Sequence, residues 1–160
     1  MTYELMAAIG MAGGAAALSM AAIGSSMGTG TAGMAAIGAW KKCFAQNKAA
    51  PFILLVFIGA PLSQTIYGLI LMNGIKNLCA AGVANETFIN WPAMLAAGII
   101  GGAAMGASAW FQGKAGAAAA DALADTGQGF GNYLMTLGIV ETVALFVMVF
   151  VQGVLTMAVS

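Results

Sequence analysis

The chain has 160 residues, 61% hydrophobic and 6% charged; its lysines balance its acidic residues to zero net charge, it lacks His and Arg, and its mean hydropathy is +0.94. This composition excludes a soluble globular enzyme and a basic nucleic-acid-binding surface, and it indicates an integral membrane protein in contact with the lipid bilayer.

Charge-free runs cover Leu5–Trp40, Ala49–Ile75 and Thr87–Gly113, and a fourth run from Thr126 onward is broken only by Glu141. Each exceeds the roughly 20 residues that cross a bilayer, so the chain reads as an all-α membrane protein with four transmembrane helices and short connections. The first run follows Glu4, where a secretory signal would carry positive charge, and outlasts any signal's apolar segment, so it is expected to be a mature helix. It carries Gly10, Gly14, Gly24 and Gly28 as two GxxxG pairs, which let backbones approach closely. Gly28-Thr29-Gly30-Thr31-Ala32-Gly33 also fits GxGxxG, but no βαβ unit precedes it and no acidic residue follows about 20 positions on, so helix packing is the better reading.

Lys41, Lys42 and Lys48 accompany the first connection, CFAQNKAAP, which holds Cys43. The second helix is bulky (FILLVFIG), with Lys76 and Cys79 towards its far end, about a membrane thickness from Cys43, which excludes a disulfide between the two thiols. The third helix returns to small residues at Gly98, Gly102 and Gly106, and Lys114 marks its approaching end. The fourth (ALFVMVFVQGVL) is bulky again. Small-faced helices suit an inner layer and bulky ones a lipid-facing layer. The lysine distribution puts the 1/2 and 3/4 connections in the cytoplasm and both termini outside the cell membrane.

The alternation is also an internal repeat. GTGTAGMAA from Gly28 resembles FQGKAGAAA from Phe111, pairing Gly30 with Gly113 and Gly33 with Gly116; downstream, Gln64-Thr65 aligns with Glu141-Thr142 at a slightly shorter offset. The difference falls in the connections, since CFAQNKAAP is longer than ADTGQGFG. Residues 1–80 are thus expected to form one helical hairpin and 81–160 a second of the same orientation, a parallel repeat. Where the second copy has Glu141 the first has Gln64, so each chain holds one carboxylate inside the membrane.

Glu141 lies ~14 Å along its helix from Asn132, well inside a hydrocarbon core of about 30 Å. An ionised carboxylate there is costly unless protonated, paired or ligated, so it is the candidate working group. Pro61 removes a backbone donor and is expected to kink the second helix, freeing carbonyls of the preceding turn, including those of Phe57 and Ala60. Ser63, Gln64, Gln112 and Glu141 then offer an all-oxygen set of the kind hard cations prefer, most plausibly Na⁺; a proton would need only the carboxylate. Each residue also has a plainer reading: Ser63 back-bonded to its own helix, Gln64 and Gln112 as interhelical glue, and Tyr67 as packing or as a partner for the carboxylate.

At these residues the chain resembles the membrane-rotor proteolipid (the K or c type) of bacterial V-type (V/A-type) rotary ATPases, especially the sodium-pumping ones. The motifs are A-P-L-S-Q-T-I-Y-G, F-Q-G-K-A-G-A-A-A and I-V-E-T-V-A, and the likeness covers all four helices. It implies that Glu141 is the ion-carrying carboxylate, that Ser63, Gln64 and Gln112 are side-chain ligands with the Ala60 carbonyl, and that Tyr67 hydrogen-bonds Glu141. Ser at 63 where some relatives carry Thr, and Ala at 60 where a larger aliphatic can stand, depart from the pattern without removing an oxygen. The resemblance further implies a homomeric rotor ring, a stator protein supplying an arginine and two half-channels, a central stalk, and ATP hydrolysis in a separate head. This chain has no phosphate-binding loop and no catalytic constellation, so it is expected to be a non-catalytic component. A proton-coupled rotor, a stand-alone carrier or channel, and a structural proteolipid are the alternatives.

Overall fold

The computed structural model describes residues 1–157; the last three residues of the expected second hairpin lie outside that range. Four helices are long and apolar enough to cross a membrane: α1 (Tyr3–Ala45), α2 (Phe52–Ala84), α3 (Trp91–Thr126) and α4 (Phe130–Met157). There is no strand among the described residues, so the chain is the all-α multi-pass membrane protein that its charge-free runs imply.

Local signals set the helix ends. The Thr2 hydroxyl caps α1 by accepting from Leu5 N at 3.3 Å, and the Asn90 side chain caps α3 by accepting from Ala93 N at 3.3 Å, with Pro92 in the first turn where its missing N–H costs nothing. α1 and α2 close with the same device. Asn47 (φ 54°) and Glu86 (φ 53°) turn left-handed, and the next amides, of Lys48 and Thr87, return to the carbonyls of Cys43 and Gly82 at 2.9 and 3.0 Å. Gly127 (φ 66°) ends α3.

Three expectations need correction. The connections are shorter than CFAQNKAAP and ADTGQGFG, occupying only 46–51 and 127–129. Cys43 therefore lies in the last turn of α1, its thiol 4.0 Å from the Ala124 carbonyl, and not in a loop. Lys114 is well inside α3, with its ammonium 3.9 Å from the centroid of the Trp110 ring. The cause is common to all three: a charge ends the hydrocarbon-compatible run but not the helix, because Lys and Asp are compatible with helical backbone once they reach the interface or snorkel. At about 1.5 Å per residue α1 measures ~65 Å, roughly twice the hydrocarbon thickness. The far ends of α1 and α3 run on side by side, joined by the Lys42–Asp125 ion pair. These helices are thus parallel, and both hairpin turns lie at the same end. Cys43 and Cys79 are both free and buried.

The tightest seam is α1 against α3. A Cβ at Gly98 would overlap the Gly13 backbone, one at Gly24 the Gly106 backbone, and one at Gly113 the Gly28 backbone. The residue that meets α3 backbone in the lower part of this seam is Gly13; Gly14 faces Met72 of α2, and Gly10 lies between the side chains of Cys79 on α2 and Met94 on α3. α2 runs antiparallel to α1 in a regular register, with Gly10 beside Cys79, Ala21 beside Gly68, and Gly28 beside Pro61. Exposed bulky residues such as Ile66, Leu69, Phe146, Val149 and Phe150 cover the outer faces of α2 and α4.

This seam makes a testable contrast. Gly98→Ala lowers the melting temperature of the purified protein, because the new methyl meets backbone that cannot move aside. Gly14→Ala, whose Cβ would find Met72 atoms no closer than 3.4 Å, leaves it unchanged or raises it through the helix propensity of Ala. Equal melting of both variants would show that α1 and α3 do not meet at Gly98.

Candidate ion-binding site

Ser63, Gln64 and Tyr67 of α2, Gln112 of α3 and Glu141 of α4 are brought together where these three helices meet. Helical spacing accounts for this: Gln64 and Tyr67 are one turn apart on α2, Ser108 and Gln112 on α3, and Leu137 and Glu141 on α4. Glu141 itself lies in the interior of α4, which is unbroken from Phe130 to Met157.

The side chains form one connected hydrogen-bond chain. The Tyr67 hydroxyl donates to Glu141 Oε1 at 2.7 Å. Gln112 Nε2 donates to the other carboxylate oxygen, Oε2, at 3.3 Å, and to the Leu137 carbonyl at 3.0 Å. Gln64 Nε2 donates to Gln112 Oε1 at 2.8 Å, and Ser63 Oγ lies 3.1 Å from both Gln64 Oε1 and the Ala60 carbonyl. Gln64 and Gln112 are completely buried, which matters because an unsatisfied amide in an apolar interior is penalised by several kcal/mol. Here each amide is held at both ends.

The structure brings together Glu141, Gln64, Ser63, Gln112, the Ala60 carbonyl and Tyr67, with Pro61 beside them. Pro61 is buried and α2 tightens into a 3-10 turn over Ala60–Leu62. The expected freeing of carbonyls needs one correction, since the Ala60 carbonyl accepts from the Ser63 hydroxyl and amide instead of standing free. Ser63 thus realises its back-bonded geometry while remaining within reach of Gln64. The orientation of Gln112 also differs from a simple ligand cage: it turns its nitrogen, not its oxygen, towards Glu141.

Two participants lay beyond sequence reasoning. The Leu137 carbonyl could not be singled out, because any backbone carbonyl one turn before Glu141 is normally committed to its own helix. The Ser108 hydroxyl donates to the Val140 carbonyl at 2.9 Å, and its position one turn before Gln112 is the one sequence signal that points to it. This bond crosses from α3 to the residue next to Glu141 and fixes the height of α4.

Electrostatically the site holds one formal negative charge. Among the described residues no group of three or more His, Cys, Asp or Glu could hold a metal ion. A single carboxylate ringed by neutral oxygens and amides balances a monovalent cation or a proton and leaves no net charge; a divalent ion would leave one positive charge uncompensated within the membrane.

A search of curated proteins found no match. The family model for the C subunit of ATP synthase matches residues 95–151, a segment of α3 and α4 that contains Ser108, Gln112, Leu137 and Glu141. Over this second hairpin the chain is similar to that ATP synthase family, which supports an ion-carrying, rotor-type membrane proteolipid of the same kind.

Proposed function

We propose that the chain is the rotor-ring proteolipid of a V-type, sodium-transporting rotary ATPase, a non-catalytic component that carries Na⁺ on Glu141. The observation that carries this reading is the closed polar chain Ser63–Gln64–Gln112–Glu141–Tyr67, built around the one carboxylate of the membrane interior. Such a chain is more than a proton carrier requires.

In this reading Glu141 and Gln112 meet the ion directly, and the other expected ligands, Gln64, Ser63 and the Ala60 carbonyl, complete the hydrogen-bonded chain that positions Gln112. The Gln112 NH₂ group already sits between two acceptors, Glu141 Oε2 and the Leu137 carbonyl, a place suited to positive charge. When Na⁺ arrives, Gln112 turns its amide over and presents Oε1 to the ion. Its nitrogen then faces Gln64 Oε1, and the Gln64 nitrogen faces the Ser63 hydroxyl oxygen, which accepts while donating to Ala60. The donor direction of the whole chain reverses without any buried group losing its partner. Tyr67 keeps its bond to Glu141 and holds the carboxylate in one orientation.

Bound Na⁺ neutralises Glu141 so that the site can pass the lipid as a ring of identical copies turns; bare, the charge is held back. The chain has no Arg, so the cation that discharges the site comes from a stator protein, and a central stalk transmits torque from a separate ATP-hydrolysing head. Each charge moved works against roughly 2.3 kcal/mol per 100 mV. The hairpin turns at 46–51 and 127–129, carrying or flanked by Lys41, Lys42 and Lys48, face the cytoplasm.

One observation favours a second reading. The nitrogen-first orientation of Gln112 serves a carboxylate without any metal, as a proton-coupled rotor would need. Protection of Glu141 from a carboxyl-modifying carbodiimide separates the two. Na⁺ slows labelling at neutral to alkaline pH, and its protection weakens as pH falls because protons compete for the same carboxylate. Equal labelling with and without Na⁺ would favour the proton.

A further inference from the structure

Hydroxyls in the apolar helices of this chain nearly all fold back on their own backbone. Ser19 donates to Ala15 O, Thr31 to Met27 O, Thr136 to Asn132 O and Thr142 to Ile139 O, all at 2.7–3.0 Å. That bond is the cheapest way to satisfy a hydroxyl in hydrocarbon. Ser25 and Thr29, one turn apart on α1, do not make it. Their oxygens are buried, and neither has a hydrogen-bond partner among the described residues; Ser25 is 2% exposed.

The helix register says where they point. Ala21 lies beside Gly68, and Gly28 lies beside Pro61, in an antiparallel α1–α2 seam. Ser25 therefore falls level with Gln64, and Thr29 level with the Ala60 turn. The same turn carries the Phe57 carbonyl, which residue 61, a proline, cannot serve with an amide, and which lies near Ala32 of α1 and Gly116 of α3. Two unpartnered hydroxyls one turn apart, facing the Gln64 amide and the proline turn, offer the two to four polar partners that a buried water requires.

We propose that Ser25 and Thr29 bind one water molecule between α1 and the Ala60–Gln64 turn, and that this water supports the Gln64 amide, making α1 a positioning element of the cation site. The proposal rests on the ion-carrying reading for its second half only. The hydroxyls touch no ion; they act through Gln64, which in turn holds Gln112.

The test compares Ser25→Ala, Thr29→Val and the double variant in the assembled membrane complex, with Ser25→Thr as the conservative control. Two readouts are taken: thermal melting of the proteolipid, and the Na⁺ concentration that half-protects Glu141 from carbodiimide. If one water is shared, each single variant lowers the melting temperature and raises the half-protecting Na⁺ concentration about three- to tenfold. The double variant does no worse than either single, because both remove the same water. Ser25→Thr retains wild-type values.

Higher melting temperatures with unchanged Na⁺ dependence would overturn the proposal, since removing truly unpaired hydroxyls relieves a penalty. Lower melting with unchanged Na⁺ dependence would overturn its link to Gln64. If the wild type shows no Na⁺ protection at all, the sodium reading fails, and melting alone decides whether the hydroxyl pair holds a water.

Discussion

Glu141→Gln assembles and loses all ion-coupled transport and ion-stimulated ATP hydrolysis. Assembly survives because the amide is nearly isosteric and the hydrogen-bond chain tolerates it. The new Oε1 accepts from Tyr67 as the carboxylate does at 2.7 Å, and its nitrogen is accommodated if Gln112 and Gln64 turn over together, ending on the Ser63 hydroxyl. Transport fails because the remaining acidic residues, Glu4, Glu86, Asp121 and Asp125, lie near helix ends or in connections and cannot hold a cation at mid-membrane. In the proposed rotor a neutral amide also removes the charge that a stator cation would attract, and the electrostatic distinction between loaded and empty sites, worth about 3 kcal/mol or more for an intramembrane carboxylate, vanishes. Flux of ²²Na⁺ and ATPase activity in reconstituted vesicles are the measurements. Transport at more than a few per cent of wild type in a correctly assembled complex would remove Glu141 from the ion path.

The polar cluster of the candidate site was legible in the sequence for a specific physical reason. Hydrocarbon makes every polar side chain conspicuous, so Gln64, Gln112 and Glu141 stood out against apolar neighbours, and the proline before Ser63 marked the turn that draws them together. Backbone participants had no such contrast; the Leu137 carbonyl is invisible without coordinates. Helix ends were misplaced where charge was used to find them, since Lys42 and Asp125 pair beyond the apolar run while the backbone stays helical through both. The glycine seam was recognisable but not its register. α1 is small-sided over much of its circumference, so the pattern that contains Gly10 and Gly14 could not show that Gly13 is the one against α3 backbone while Gly14 meets α2. The meaning of Ser25 and Thr29 was likewise hidden, because a serine in a helix is normally satisfied by its own carbonyls and only the structure shows these two turned away.

Gln112→Ala is expected to cost more Na⁺ affinity than any change except at Glu141. Gln112 is the junction of the network: it donates to Glu141 and to the Leu137 carbonyl and accepts from Gln64, so its removal deletes one ligand and strands the buried Gln64 amide. One lost oxygen contact to a charged species is worth roughly 1.5–3 kcal/mol, and an unpaired amide adds to that. At about 1.4 kcal/mol per decade, the apparent Na⁺ affinity falls ten- to a hundredfold. Gln64→Ala removes the second amide and, in the loaded state, the acceptor of the Gln112 nitrogen, but leaves the Gln112 oxygen on the ion, so its cost is about tenfold. Ser63→Ala costs least, because the Ala60 carbonyl keeps its backbone donor from residue 63 and water can occupy the hydroxyl's place. The ranking Gln112, then Gln64, then Ser63 is read from the Na⁺ dependence of ATP hydrolysis and of carbodiimide protection. If all three variants keep wild-type Na⁺ dependence while melting at lower temperature, these residues act as helix packing, and Glu141 works as a proton carrier.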